Sequence, residues 1–141
     1  MVDTLVLENK LDDLTKLSQW INNLAGRLGI SPNDTFRLDL ALAEAVTNII
    51  RYAFEDSASH NIKVTMHYQY NNITVEIKDK GRPFDPLKHP KVIFPRSLEE
   101  ASKGGLGIHL IRTYTDECYY RREGGANILT MVIYDSPTAH D

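Results

Sequence analysis

A single cysteine, Cys118, stands in the whole sequence, so no internal disulfide can form and the chain suits a reducing compartment. A small, partly buried apolar role is sufficient for it. No cluster of Lys or Arg exceeds the pair Arg121-Arg122, and a formal net charge of −3 leaves no electrostatic footprint for nucleic acid. The opening "MVDTLVLENK" lacks both a basic flank and a long apolar core, so neither a signal peptide nor a membrane span is expected there. Repeats and low-complexity segments are also missing. These absences point to a cytoplasmic protein with no direct nucleic-acid or membrane partner. What is present is ordinary: 141 residues, 42% hydrophobic and 25% charged, enough for a single domain over 1–141 with its own core.

The apolar periodicity sets the expected elements. "TLVLE" (4–8) reads as a short strand, and Leu11, Leu14, Leu17, Ile21, Leu24 and Leu28 follow at the three-to-four spacing of an amphipathic helix ended by Gly29. Ser31 as N-cap with Pro32 at the first helical position opens a second helix to about Phe54. Residues 62–70 alternate, with Ile62, Val64, Met66, Tyr68 and Tyr70 on one face. "NN" (71–72) then turns the chain into "ITVEIKD" (73–79), which gives a hairpin. From Lys80 to Lys103 there is no long periodicity, and Pro83, Pro86, Pro90 and Pro95 suit a long loop, a candidate lid. "IHLIRTYTD" reads as helix, "ECYYRRE" as strand, "GGA" as turn, and "NILTMVIYD" as a central strand apolar on both faces. The expected fold is a two-layer α/β (α+β) sandwich: a mixed, mostly antiparallel sheet with three helices on one face.

Three stretches carry chemistry. Gly104, Gly105 and Gly107 precede a helix, and unpaired amides plus the positive helix end there form an anion-binding concavity, with Lys103 beside it. The same glycines also suit a loop that merely turns into a helix. On the second helix Glu44 and Asn48, at i and i+4, lie opposite the apolar arc of Leu42, Ala45, Val46, Ile49 and Ala53. A solvated polar face explains that pair; so does a carboxylate base beside an amide oxygen for Mg²⁺, a cation that needs few protein ligands. Arg37 and Arg51 lie near this stripe and suit either phosphate contact or charge balance. In "DKGRPFD" (79–85), Ile73, Val75, Ile77 and Asp79 share one strand face, so the alternation places Asp79 on the buried side. A turn-forming Asp before Gly81 is one reading, and a carboxylate accepting from the exocyclic amine of adenine is the other.

The order of these stretches, Glu44-x3-Asn48 on a helix, Asp79-x-Gly81 ending a strand, a lid-like loop, then Gly104-Gly105-Leu106-Gly107 opening a helix, resembles the ATP-binding domain shared by type II topoisomerases, heat-shock chaperone ATPases, histidine kinases and mismatch-repair ATPases (the GHKL superfamily). Within it, "DKGRPFDP" and "GGLGIHLIRTYTDE" are most similar to the bacterial anti-sigma-factor serine/threonine kinases, over about residues 10–135. One departure is Pro83, which stands where the superfamily's Asp-x-Gly-x-Gly has its second glycine.

The resemblance implies ATP and Mg²⁺ as cofactors, with Asn48 on the metal, Asp79 on adenine, and Gly81, Lys103, Gly104, Gly105, Leu106 and Gly107 framing the nucleotide. It implies Glu44 as the general base toward a substrate serine, and Thr130 as the late-strand threonine that supports adenine. It further implies a homodimer that phosphorylates a small anti-anti-sigma protein and holds a sigma factor in alternation. A non-catalytic ATP-binding module and an isolated histidine-kinase catalytic domain are the alternatives; residues 1–43 hold no phosphoacceptor histidine. The five histidines show no metal-ligand spacing.

Overall fold

A computed structural model describes residues 1–88 and 105–135, with the backbone alone at 105–109. Strand β1 (Val2–Glu8) leads into helices α1 (Asp13–Leu28) and α2 (Pro32–Tyr52), then strands β2 (Asn61–Gln69) and β3 (Asn72–Asp79). A 3-10 turn (Pro86–Lys88), helix α3 (Gly105–Tyr114), and strands β4 (Glu117–Glu123) and β5 (Ala126–Tyr134) complete it. The five strands pair in the order β1-β2-β3-β5-β4. All the described pairings are antiparallel, where the sequence suggested a mixed sheet.

Local signals start and stop the helices. Gly29, at φ 71°, closes α1 with its N–H on the carbonyl of Ala25, in the left-handed conformation that only glycine adopts without strain. Ser31 Oγ accepts from the Asp34 amide at 3.2 Å, and Pro32 sits in the first turn of α2. The β2–β3 turn centres on Tyr70 and Asn71, at φ 53° and 64°, one residue earlier than the "NN" signal. Tyr70 consequently leaves the strand face and stands 87% exposed. Gly124 and Gly125, at φ 58° and 76°, turn β4 into β5.

One sheet face carries all three helices. Leu7 on β1, Ile62, Val64 and Met66 on β2, Ile73, Val75 and Ile77 on β3, and Leu129, Met131 and Ile133 on β5 bury against Leu17, Ile21, Leu38, Leu42 and Ile111. Each such side chain contributes roughly 1.5–3 kcal/mol by leaving water. Helix α2 lies between α1 and α3 and touches both, so more than one stripe of it is buried. Trp20 and Cys118 pack against the core's edge. The opposite sheet face, with Lys63, Thr65, Glu76, Lys78 and Arg121, is largely polar.

Candidate functional site: a buried carboxylate and an orphaned amide

Asp79 ends β3 on the helix side of the sheet and is 3% exposed. A carboxylate so placed requires donors. Two reach it, and both go to Oδ1: the Gly81 amide at 2.9 Å and Asn127 Nδ2 at 3.0 Å. Oδ2 accepts no hydrogen bond among the described residues. Burial pushes the Asp79 carboxyl above its ordinary value, while the Asn127 and Gly81 donors and the nearby Arg122 charge oppose the rise. Gly81 is required by close approach: a Cβ there would sit 2.4 Å from the carbonyl oxygen of Ala53, just past α2. The neighbouring Arg82 amide donates to that same oxygen at 2.9 Å, which fixes the strand end against the helix end.

Asn48 is 2% exposed, and its Nδ2 has no hydrogen-bond partner among the described residues. The helical wheel set it opposite the apolar arc; the structure nevertheless buries it beside Ala45 and Ile49, because α2 is covered on several sides. Leaving a buried amide unpaired costs about 1–3 kcal/mol, which marks the position as built for something other than stability. Asn48 and Asp79 line one small cavity, closed by Phe84 and Pro86 and floored by Ile77 and Asn127. It measures about 20 Å³, room for about one water molecule. Phe84 packs on Tyr52 with ring centres 5.9 Å apart, and the cavity beside it has no room for a ring. Asp79 also lines a wider cleft of about 500 Å³, together with Phe54, His60, Lys63 and Lys78.

Glu44 lies one turn before Asn48 and is partly exposed, at the margin of the helix layer. Thr130 is not brought into the site. It pairs with Glu76 and Tyr119 and faces the open side of the sheet, whereas Asp79 pairs with Asn127 on the helix side. Asn127 therefore occupies the place beside Asp79 that was expected of the threonine. A buried asparagine in an otherwise apolar strand was the available signal, since such an amide must be paired. Gly105, Leu106 and Gly107 form the first turn of α3, alongside α2, while Lys103, Gly104 and the lid from residue 89 lie outside the described residues. Arg37 binds Asp34 at 3.0 Å and Asp116 at 3.3 Å, a structural bridge in place of a phosphate contact.

The chain matches the model of the histidine kinase-like ATPase domain over residues 7–133. It belongs to the histidine kinase-like ATPase family. The serine/threonine-protein kinase BtrW of Bordetella bronchiseptica is 30% identical over 135 residues, covering 96% of this chain and 95% of that protein. The serine-protein kinase RsbW of Listeria innocua is 30% identical over 118 residues, or 80% of this chain and 75% of the relative. Among solved structures, the RsbU and RsbW domains from Mycobacterium tuberculosis superpose with a TM-score of 0.70 at 12% identity, covering 96% of this chain and 32% of that one. The catalytic domain of the histidine kinase ThkA gives 0.57 at 15% identity, covering 97% and 99%. These two likenesses establish the fold.

As a histidine kinase-like ATPase domain, the chain belongs to a family that uses ATP. An amide turned by 180° about its last torsion exchanges nitrogen for oxygen, so Asn48 can offer either a donor or a hard oxygen ligand at the orphaned point. An Mg²⁺ ion, which keeps most of its waters, fits one such oxygen. Among the described residues no group of three His, Cys, Asp or Glu side chains could hold a metal.

Proposed function

We propose that the chain is an ATP-dependent serine kinase and anti-sigma factor, which phosphorylates a small anti-anti-sigma protein and releases or holds a sigma factor according to that reaction. The observation that carries this is the 30% identity to the kinase BtrW across nearly the full length of both chains. The arrangement of Asn48, Asp79 and Glu44 supports it. In this reading Asp79 Oδ2 accepts from the exocyclic amine of adenine, and Asn48 holds Mg²⁺, which would neutralise phosphate charge. In the same reading the glycine-rich stretch of Gly104, Gly105 and Gly107, with Lys103 and Leu106, would bind the phosphates.

The substrate serine Oγ attacks the γ-phosphorus while the bond to the β,γ-bridging oxygen breaks, and ADP leaves with that electron pair. Glu44 takes the hydroxyl proton. Because a sigma factor works on RNA polymerase, the proposal places the protein in the cytoplasm as a regulator of transcription, acting as a homodimer. Among the described residues no helix is long and apolar enough to cross a membrane.

Incubation with γ-labelled ATP, Mg²⁺ and a panel of anti-anti-sigma proteins tests the reading. Label should appear on a serine of one of them. Glu44→Gln should lower the rate at least about a hundredfold while ATP still binds. Transfer undiminished in Glu44→Gln, or label on histidine in place of serine, would overturn it.

A further inference from the structure

Asn127 is 4% exposed, and both ends of its amide are engaged. Nδ2 donates to Asp79 Oδ1 at 3.0 Å and to the Arg82 carbonyl at 2.8 Å. Oδ1 accepts from Tyr120 Oη at 2.6 Å, Arg122 Nη1 at 3.1 Å and the Phe84 amide at 3.2 Å. Turning the amide over would set its oxygen against a carboxylate and a carbonyl, and its NH₂ against three donors. The orientation is therefore fixed, and it is fixed from β4: Tyr120 and Arg122 are alternate residues of the edge strand, on the side of the sheet that Asn127 faces. Arg122 Nη1 also donates to the Gly81 carbonyl at 2.8 Å, so one guanidinium ties Asn127 to the turn that supplies Asp79's other donor.

We propose that Asn127, locked by Tyr120 and Arg122, is a positioning residue for base selection: it occupies Asp79 Oδ1 and so presents Oδ2 as an acceptor, which admits a purine with an amine at position 6 and rejects one with an oxygen there. The proposal rests on the reading of Asp79 as the adenine contact. The opposing effects on Asp79 give it a second consequence. Burial favours the neutral carboxyl, and the Asn127 amide is the main donor that opposes it. Without Asn127, Asp79 holds a proton to higher pH, and a protonated carboxyl can donate to an oxygen at position 6.

Titration of the full chain with Mg-ATP and Mg-inosine triphosphate, which differ at position 6, tests this across about pH 5.5 to 8.5. The wild type should prefer ATP by at least about tenfold throughout that range, the value of one good hydrogen bond. Asn127→Ala should lose most of that preference, and its ATP to inosine triphosphate ratio should fall further as pH falls. The double variant Tyr120→Phe/Arg122→Leu, which leaves the amide in place but removes two of the three donors to its oxygen, should lose part of it and serves if Asn127→Ala does not fold. A merely structural role would weaken both nucleotides equally with no dependence of the ratio on pH, and that result would overturn the proposal. Asp79→Asn separates the two readings. If it leaves the wild-type preference intact, the assignment of Asp79 to adenine fails, and the role of Asn127 fails with it. If Asp79→Asn abolishes the preference while Asn127→Ala and the double variant keep it, only the role of Asn127 fails.

Discussion

Asn127 and Asp79 face each other across the β3–β5 pair, 3.0 Å between amide nitrogen and carboxylate oxygen, both buried on the helix side of the sheet. The pair brings together residues 48 apart in sequence and lines the small cavity that Asn48 also borders.

Asn48 makes no hydrogen bond through Nδ2 among the described residues, so removing its amide should cost little stability and most of the nucleotide affinity. Asn48→Ala is expected to change unfolding free energy by less than about 1 kcal/mol and to weaken Mg-ATP binding at least about tenfold. Urea denaturation and calorimetric titration of the same preparation check both halves.

Gly81→Ala should lose stability as well as affinity. Its Cβ would meet backbone, the Ala53 carbonyl at 2.4 Å, and backbone cannot swing aside as a side chain can. A loss of about 1–3 kcal/mol is expected in urea denaturation. Nucleotide affinity should drop with it, because the Gly81 amide that supports Asp79 must shift.

Phe84 closes the cavity by packing on Tyr52. Phe84→Ala should therefore raise the association rate of ATP in stopped-flow measurements. An unchanged rate would mean that withdrawal of Phe84 does not limit entry.

At the opposite end of the sheet, Asp135 is buried beneath α2, with the Ser31 amide 3.4 Å from Oδ1 and the Tyr68 hydroxyl 3.4 Å from Oδ2. Burial, then a hydrogen bond with the Asp34 carboxyl, pushes its own carboxyl up from 3.8. Arg37 neutralises Asp34 from the other side. A carboxyl whose folded value is raised binds its proton more tightly folded than unfolded, so stability falls as pH rises from about 3.8 through the raised value. Asp135→Asn, which keeps a donor to Asp34 without a charge, should be more stable than the wild type at neutral pH and lose that advantage below about pH 4. Denaturation at several pH values checks it.

Much of this was legible from particular residues. The alternation Ile73, Val75, Ile77, Asp79 put the carboxylate on the buried face correctly, because β3 is polar on its other side. Ser31-Pro32 and Gly29 fixed two helix ends for the same local reasons seen in the structure. Asn48 was harder: a wheel shows one stripe, and α2 is buried on several. Strand β5 is apolar on both faces, so its alternation carries no direction, and one residue of parity separates Thr130 on the open face from Asn127 beside Asp79. Only the pairing register with β3 decides it.

The most direct test of the account is calorimetric titration of Mg-ATP and Mg-GTP into the wild type, Asp79→Asn and Asn48→Ala, with each variant's fold verified by circular dichroism. The account predicts binding of ATP over GTP by the wild type and loss of ATP binding in both folded variants. Equal binding of ATP by the wild type and Asp79→Asn would contradict it.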